Sequence, residues 1–175
     1  KAKTVHGNVG YREEKMLVIP NGFDIRRFKV DNELRYRYRD ELKIQHNKLV
    51  IGNIGRFTPA KNQVNFIKAC LLLLDKGYDF DVWILGMGSL YSELDQQIRN
   101  NDLLDVVHLL GFCDNPYPIM KQADLFISTS ITEGFPIVVC EAMIMGLPIL
   151  ATKVTGSIEI LEEGNEMKHC VASYA

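Results

Sequence analysis

The feature that most constrains the fold is an alternation of short apolar runs with helix-period segments from Leu49 onward. The apolar runs predict strands at residues 49–55, 80–85, 106–109, 125–128 and 149–151. The intervening segments predict helices at residues 64–74, 90–100, 136–145 and 157–162, the first of them ended by Gly77. Strands that alternate with helices form a parallel sheet covered on both faces. We therefore expect one α/β domain, doubly wound and Rossmann-like, with a mainly parallel sheet.

Residues 1–48 read as a lead-in to this domain. They contain a predicted short strand at residues 16–19, a turn at Asn21-Gly22 and a helix at residues 32–43. Basic and aromatic residues interleave at residues 35–39, a composition that can bind anionic lipid or nucleic acid. We interpret this segment as a solvated helix whose aromatic side chains pack inward, and we expect no nucleic-acid partner.

Composition and cysteine usage indicate an ordinary globular domain. The 175 residues are 47% hydrophobic and 24% charged, enough to bury a core. The apolar stretches fall short of the roughly 20 residues of a membrane-spanning helix. The sequence opens at Lys1 without a charged-then-apolar leader, so we expect no export signal. The four cysteines lack metal-ligand spacing and are interpreted as reduced thiols. We expect a cytoplasmic protein, with at most peripheral contact of the full-length protein with the membrane.

The loop after the first predicted strand carries two cations. Ligands of doubly wound sheets bind outside the carboxyl ends of the strands, where the connecting loops gather. Here Gly55 would let the backbone approach a ligand, Arg56 would offer a forked donor, and Lys61 would enter at the start of the next helix. The pair suits a pyrophosphate, although a solvated loop remains an equal interpretation.

Two other motifs resemble ligand-binding motifs but are interpreted as having no such role. Gly86-Met87-Gly88 follows a strand, but Tyr91 stands where a dinucleotide-binding loop has its third glycine, so we interpret the motif as a tight turn. Asp79-Phe80-Asp81 has the D-x-D spacing of a motif that binds a divalent metal and a nucleotide in other proteins. It precedes its strand, on the side away from the ligand loops, and we interpret it as a solvated strand start. No metal is expected.

Two carboxylates eight residues apart, Glu133 and Glu141, flank the start of the predicted helix at residues 136–145. Pro136 fits the first helical turn, and the free amides and positive dipole end near Ile137 and Val138 suit an anion. An ionised carboxylate accepts two hydrogen bonds from a vicinal diol, so one Glu could hold a ribose and the other a hexose. From the residues alone, a capping role for Glu133 and a surface position for Glu141 remain open.

Together these motifs resemble the C-terminal domain of the group 1 (family 4) retaining glycosyltransferases of GT-B architecture. The match runs from Val18 to about Glu163. Its elements are residues 19–24, Gly55-Arg56 to Lys61-Asn62, Gly86-Met87-Gly88, Gly111-Phe112, the E-x7-E element of Glu133 and Glu141, and Gly146-Leu147-Pro148. The resemblance implies the C-terminal half of a GT-B fold, with a separate N-terminal acceptor domain outside this chain.

The resemblance also implies roles for individual residues. Gly55, Arg56 and Lys61 would bind the donor pyrophosphate, and the backbone near Phe112 would bind the base. Glu141 would hold the ribose. Glu133 would hold the transferred sugar, together with backbone amides from Gly134, Phe135, Ile137 and Val138. Arg56 and Lys61 would neutralise the leaving nucleotide, and its phosphate would accept the acceptor's proton on the same face, giving retention without a clear protein nucleophile. No metal or other cofactor is expected.

Some features depart from the family pattern or leave the function open. Pro136 replaces a common glycine, and Thr155-Gly156-Ser157 lacks a second one. The expected donor is a UDP- or GDP-sugar, and the expected acceptor is a saccharide or a lipid-linked molecule of polysaccharide biosynthesis. The alternatives are a nucleotide-sugar epimerase or phosphorylase of the same architecture, and a non-catalytic nucleotide-binding module.

Overall fold

The computed structural model describes residues 2–19, 21–28, 37–161 and 169–172. Six parallel strands form one sheet in the order β3-β2-β1-β4-β5-β6. The strands are β1 Leu49–Ile54, β2 Phe80–Leu85, β3 Val107–Gly111, β4 Leu125–Ser128, β5 Ile149–Thr152 and β6 His169–Ala172. The predicted fold class is therefore confirmed.

Seven helices accompany the sheet within the described residues. They are α1 Ala2–Asn8, α2 Arg37–Glu41, α3 Gln63–Asp75, α4 Tyr91–Asn100, α5 Tyr117–Met120, α6 Ile137–Ile144 and α7 Thr155–Leu161. Short 3-10 turns lie at Glu13–Lys15, Ile25–Phe28 and Pro59–Lys61. The helices predicted between the strands agree with α3, α4, α6 and α7 to within about two residues, the usual scatter of helix boundaries.

The order of the strands locates the binding edge. β1 lies at the centre, with Ile51 opposite Val82 of β2 on one side and opposite Leu125 of β4 on the other. The chain moves outward from β1 to β3 and then returns to β4 beside β1, so the topological switch lies between β1 and β4. Ligands of such sheets bind at this switch, at the edge where the strands end. We call this the carboxyl edge, and the edge where the strands begin the amino edge.

The core follows from the two-residue period of the strands. Val82 and Ile84 pack on one face against α3 and α4, whereas Trp83, only 1% exposed, packs on the other face. The face of α3 predicted from its apolar period joins the first cluster: Ile67 is buried, and Val64, Leu71 and Leu74 are packed against the cluster. The sheet is thus covered on both sides, which explains why β2 is buried at every position.

The lead-in differs from its prediction. Residues 16–19 are not a strand, and Leu17, Val18 and Ile19 are 62% to 82% exposed. A strand needs a hydrogen-bonded neighbour, and no described residue supplies one to this segment. Residues 21–24 have irregular backbone, and α2 is the described part of the helix predicted at residues 32–43; residues 29–36 lie outside the described residues.

Arg39 corrects the interpretation of the basic and aromatic segment as solvated. Its guanidinium is 4% exposed and donates to Lys48 O at 2.7 Å, Gln122 O at 2.8 Å and Asp124 Oδ2 at 2.8 Å. The loops at the amino edge supply these acceptors, so the side chain is withdrawn from water and both terminal nitrogens of the guanidinium are hydrogen-bonded. Arg37, by contrast, is exposed and pairs with Glu41 one turn later.

Asp81 corrects the same interpretation of the DxD motif. The motif lies at the amino edge as expected, and Asp79 is 84% exposed. Asp81, however, is 2% exposed, with its carboxylate 2.9 Å from Lys48 Nζ and 3.1 Å from His108 Nε2. The hydrogen bond from Lys48 to Asp81 raises the pKa of Lys48. Asp81 is therefore part of a buried ion cluster, and the described residues contain no group of three or more His, Cys, Asp or Glu side chains able to hold a metal.

The described cysteines are free thiols, as expected. Cys70 and Cys140 are buried and Cys113 is partly buried; burial raises the pKa of Cys70 to about 12 and raises that of Cys140. The side chain of Cys170 lies outside the described residues. No helix in the described ranges combines the length and apolar character needed to cross a bilayer.

Candidate functional site

A cleft of about 310 Å³ opens at the carboxyl edge, beside the switch between β1 and β4. The loop after β1, the loop after β4 and the start of α6 form its walls. It is lined by Ile54, Gly55, Arg56, Lys61, Glu133, Phe135, Pro136, Ile137, Val138 and Glu141. The structure thus brings together the predicted site residues of three loop and helix segments. Gly134 lies within the same loop, and Phe112 lies in an adjoining cleft.

The loop after β1 presents the Arg56 guanidinium to solvent. Within the described residues this side chain forms no ion pair, so its charge is uncompensated. The backbone beneath it is fixed, because Gln63 Nε2 donates to Arg56 O at 3.2 Å and Phe57 is fully buried. A cation in this state can bind an anion without first breaking a contact.

The Gly86-Met87-Gly88 turn supports this loop. Gly86 has φ +145°, and a Cβ there would lie 2.0 Å from Gly55 O. Phe57 N donates to Met87 O at 2.9 Å, which joins the two turns. The turn predicted from the sequence is therefore also a close contact between backbones, which only glycine permits.

Lys61 and Glu133 form an ion pair across the cleft. Lys61 Nζ contacts Glu133 Oε1, and Ser130 Oγ donates to the same oxygen at 2.6 Å. The side chains are 22% and 11% exposed respectively. Glu133 therefore accepts from one of the three N–H donors of Lys61 and offsets part of its charge, whereas Arg56 has no ionic partner among the described residues.

The loops after β1 and β4 are joined by hydrogen bonds. Ile131 N donates to Ala60 O at 2.8 Å, and Thr129 Oγ1 donates to Lys61 O at 3.0 Å. Gly156, at the start of α7, donates from its amide to Glu133 O at 3.2 Å, and a Cβ there would lie 2.7 Å from Gly134 O. The single glycine of Thr155-Gly156-Ser157 thus gives α7 the close approach that the Glu133 loop needs.

The start of α6 supplies backbone donors to the cleft. Pro136 is buried and lies one residue before the helix with extended backbone (φ −75°, ψ 90°), and not within the first turn as predicted. The amides of Ile137 and Val138 belong to the first turn, whose N–H groups have no acceptor inside a helix. Together with the positive end of the helix dipole they favour an anion next to Arg56.

Glu141 lies one turn into α6 and faces the same cleft as Glu133. Tyr117 donates its hydroxyl to Glu141 Oε1 at 3.1 Å. Burial raises the pKa of Glu141, whereas the hydrogen bond from Tyr117 and the charge of Arg27 act to lower it. The carboxylate is therefore partly desolvated and positioned by a partner from another helix.

Phe112 lies in an adjoining cleft of about 400 Å³ that shares Ile54, Gly55 and Arg56 with the first. The Phe112 side chain is 73% exposed, and Gly111 before it has φ +70°. The remaining lining residues are Leu85, Gly86, Met87, Cys113 and Pro116. This mainly apolar cleft beside Arg56 has the position predicted for a nucleotide base.

Sequence reasoning assigned no role to Ser130, Gly156 or Tyr117. Ser130 stands three residues before Glu133, a spacing at which a loop side chain can reach back, so a signal was present. Gly156 is the one glycine of a motif that lacks a second, and the motif alone predicts no contact for it. Tyr117 comes from α5 and meets Glu141 through the tertiary fold, so no local pattern could have identified it.

Comparison with known proteins places these motifs in a family. The profile of the family described as "Glycosyl transferases group 1" matches residues 35–174. The amylovoran biosynthesis glycosyltransferase AmsK of Erwinia amylovora is 32% identical over 164 residues. An Escherichia coli UDP-Gal:alpha-D-GlcNAc-diphosphoundecaprenol alpha-1,3-galactosyltransferase is 29% identical over 146 residues. These alignments cover 88% and 82% of this chain.

A solved structure agrees with these relatives. Anabaena Alr3699/HepE, crystallised in complex with UDP and glucose, superposes with a TM-score of 0.84 at 30% identity over 98% of this chain. The alignments cover 38% of each of the two relatives above and 47% of the HepE chain. The chain therefore spans less than half the length of these proteins. The match of the family profile over residues 35–174 shows that the chain belongs to the group 1 glycosyl transferases.

Proposed function

We propose that this chain is the donor-binding part of a retaining glycosyltransferase and holds a nucleotide-diphosphate sugar by its pyrophosphate. The observation that carries the proposal is the uncompensated Arg56 guanidinium beside the free amides of α6, in a cleft flanked by Glu133 and Glu141. Two carboxylates next to an anion site would repel a phosphate unless they served uncharged neighbours. Sugar hydroxyls are such neighbours, because an ionised carboxylate accepts hydrogen bonds from a vicinal diol.

The donor is assigned to the cleft in three parts. Arg56, Lys61 and the first amides of α6 bind the pyrophosphate, Glu141 the ribose, and Glu133 with its loop amides the transferred sugar. The base lies in the adjoining cleft beside Phe112. The presence of UDP and glucose in HepE supports a UDP-sugar, with a GDP-sugar as the second choice to be tested.

The reaction needs charge stabilisation more than a protein nucleophile. The bond between the anomeric carbon and the β-phosphate oxygen breaks, and a bond from that carbon to the acceptor oxygen forms on the same face. The acceptor's proton passes to the departing phosphate, so configuration is retained. Arg56 and Lys61 stabilise the charge that develops on the phosphate, and we propose that no metal or other cofactor is required.

The remaining partners are supplied by the longer protein. We propose that a second, N-terminal domain brings the acceptor and closes the cleft against water. The E. coli relative is named for an acceptor linked to diphosphoundecaprenol, which supports a saccharide or lipid-linked acceptor, handled by a cytoplasmic protein at the membrane surface.

Nucleotide titration tests the donor site. We expect the chain to bind UDP or GDP, and Arg56→Ala to weaken binding by about 1 to 3 kcal/mol, the scale of a hydrogen bond to a charged group. Arg99→Ala is the matched control, because Arg99 is an exposed arginine on α4 paired with Asp95. Equal affinity of the Arg56 variant and the wild type would remove the pyrophosphate assignment.

Product analysis tests the reaction. With the longer protein and a panel of nucleotide sugars, we expect transfer to an acceptor, and NMR of the product should show the donor's anomeric configuration. Inversion would contradict the proposed mechanism. Epimerised donor, or phosphate-dependent release of sugar phosphate, would favour an epimerase or phosphorylase. The 175-residue chain alone should transfer negligibly.

A further inference from the structure

We propose that Tyr117 is a positioning residue, which holds the Glu141 carboxylate in the donor cleft and is itself fixed by Phe28 of the lead-in. The inference rests on the proposed function, since it concerns the group assigned to the ribose. It adds a contact that reaches from the lead-in, through α5, to the donor.

The first step is the hydrogen bond between α5 and α6. Tyr117 begins α5, and its hydroxyl lies 3.1 Å from Glu141 Oε1, in hydrogen-bond range. A Glu side chain loses considerable rotamer freedom when it is fixed. A partner that fixes it before the ligand arrives removes that cost from binding, which is preorganisation.

The second step is the contact that fixes the tyrosine ring. The Phe28 and Tyr117 rings have centroids 4.5 Å apart and planes inclined at 45°, a favourable tilted pair. Both rings pack against the core cluster that contains Phe126 and Val139. The Tyr117 hydroxyl is therefore held by packing on one side and by Glu141 on the other.

A small cavity joins the lead-in to this arrangement. About 230 Å³ in volume, it lies between residues 21–28 and the start of α6, and it shares Ile137 and Glu141 with the donor cleft. Tyr117 also lines it. The lead-in is thus in direct continuity with the side chain assigned to the ribose.

The third step is electrostatic. Burial raises the pKa of Glu141, and the donated hydrogen bond from Tyr117 opposes that rise by favouring the ionised form. The ionised form is the one that accepts two hydroxyl hydrogen bonds, and Oε2 remains available to a diol when Tyr117 occupies one position on Oε1. The charged groups that line the two cavities with Glu141 are Asp24, Arg27, Arg56, Lys61 and Glu133.

Binding of UDP and GDP to Tyr117→Phe is the test. We expect about tenfold weaker binding of the preferred nucleotide, the effect of losing one hydrogen bond to a charged group. In a Glu141→Gln background, Tyr117→Phe should weaken nucleotide binding little further, because the two residues act as a unit. Tyr78→Phe removes an exposed hydroxyl after α3 and should bind like the wild type.

A second measurement separates positioning from a general structural effect. The carboxyl carbon of Glu141, followed by NMR, should titrate at higher pH in Tyr117→Phe than in the wild type. Phe28→Leu, which keeps the hydroxyl but loosens the ring, should shift affinity in the same direction by about threefold.

The outcomes distinguish this inference from the proposed function. If the wild type binds a nucleotide and Tyr117→Phe binds it equally well, the inference about Tyr117 is wrong but the proposed function stands. The same holds if the Glu141 carboxyl titrates at the same pH in both proteins. Failure of the wild type to bind either nucleotide would overturn the proposed function. The Glu141 carboxyl titration would then test the Tyr117 contact by itself. A higher midpoint in Tyr117→Phe than in the wild type would support the contact, and an equal midpoint would reject it.

Discussion

The two edges of the sheet carry the same kinds of charged residues in opposite states. At the amino edge, Arg39 and Asp81 are 4% and 2% exposed. Arg39 is satisfied by backbone carbonyls and by Asp124, and Asp81 by Lys48 and His108. Each of these buried charges has a partner of opposite charge.

At the carboxyl edge the charges are incompletely matched. Arg56 is exposed and has no ionic partner among the described residues. Glu141 is partly desolvated, with a raised pKa and a neutral hydroxyl as its partner. Lys61 and Glu133 pair with each other, but they are 22% and 11% exposed and line the cleft, so this pair is less enclosed than Arg39 and Asp81.

The difference shows that residue type alone does not distinguish a charged residue that stabilises the fold from one that can bind a ligand. A buried charge with complete partners fixes neighbouring segments relative to one another and has no capacity left for a ligand. An exposed cation next to free helix amides keeps that capacity. Substitutions at the two edges should therefore affect different quantities, and the comparison can be tested on that basis.

The largest effect is expected for Arg39→Met. The substitution removes the donor to the Gln122 carbonyl in a buried hydrogen bond and leaves Asp124 with Val50 N as its remaining donor among the described residues, and we expect the free energy of unfolding to fall by about 3 kcal/mol. Urea unfolding measures it, and nucleotide affinity should be unchanged. Arg37→Met is the matched control, expected within about 0.5 kcal/mol because the Arg37–Glu41 pair is exposed. A small effect of Arg39→Met would break the comparison.

A smaller effect is expected when the pair at the carboxyl edge is broken. Lys61→Met leaves the Glu133 carboxylate, 11% exposed, with Ser130 as its remaining polar partner, and should lower stability by about 1 to 3 kcal/mol. Adding Glu133→Gln should recover part of that loss, whereas nucleotide binding should stay weak in both variants. Full additivity in this double-mutant cycle would contradict the coupling of the pair.

The smallest effect, opposite in sign, is expected for Glu141→Gln. Because the folded pKa of Glu141 is raised, the folded state favours the protonated form. Its contribution to stability is fully present below the ordinary Glu pKa and is lost as pH rises through the folded value. The Gln side chain does not ionise, so Glu141→Gln should not lose stability as the pH rises. We expect this variant to be about 0.5 kcal/mol more stable than the wild type at pH 7 and to bind nucleotide more weakly.

Unfolding of both proteins at pH 7 and at about pH 4, near the ordinary Glu pKa, checks the sign. The difference in stability should shrink at the lower pH. A variant less stable than the wild type at pH 7 would place Glu141 with the matched charges of the amino edge.

Much of the fold could be predicted because its signals are local. The apolar runs that become β2 and β4 have the same bounds in the sequence and in the structure, since each strand crosses the core once. The site could be located because parallel strands deliver their following loops to one edge. Arg56 and Lys61 therefore converge with Glu133 and Glu141, although Lys61 and Glu133 are 72 residues apart in the sequence.

The errors have long-range causes. Residues 16–19 have a strand-like composition but no described strand beside them. Arg39 meets Asp124, 85 residues away, and His108 meets Asp81, 27 residues away. A charged residue next to a strand is usually solvated, and only the folded chain shows which ones are enclosed. The same reason kept Tyr117 out of the predicted site.

The hydrogen bond from Ile131 N to Ala60 O has a consequence for how the donor site can diversify. It joins the loop after β1, which we propose binds the pyrophosphate, to the loop after β4, which we propose binds the transferred sugar, through main-chain atoms that most substitutions leave in place. The spacing of the two loops at this point is therefore set by the backbone and not by the side chains of Ala60 and Ile131. Ile131 is 55% exposed, so we expect this position to tolerate substitution while the two loops stay aligned.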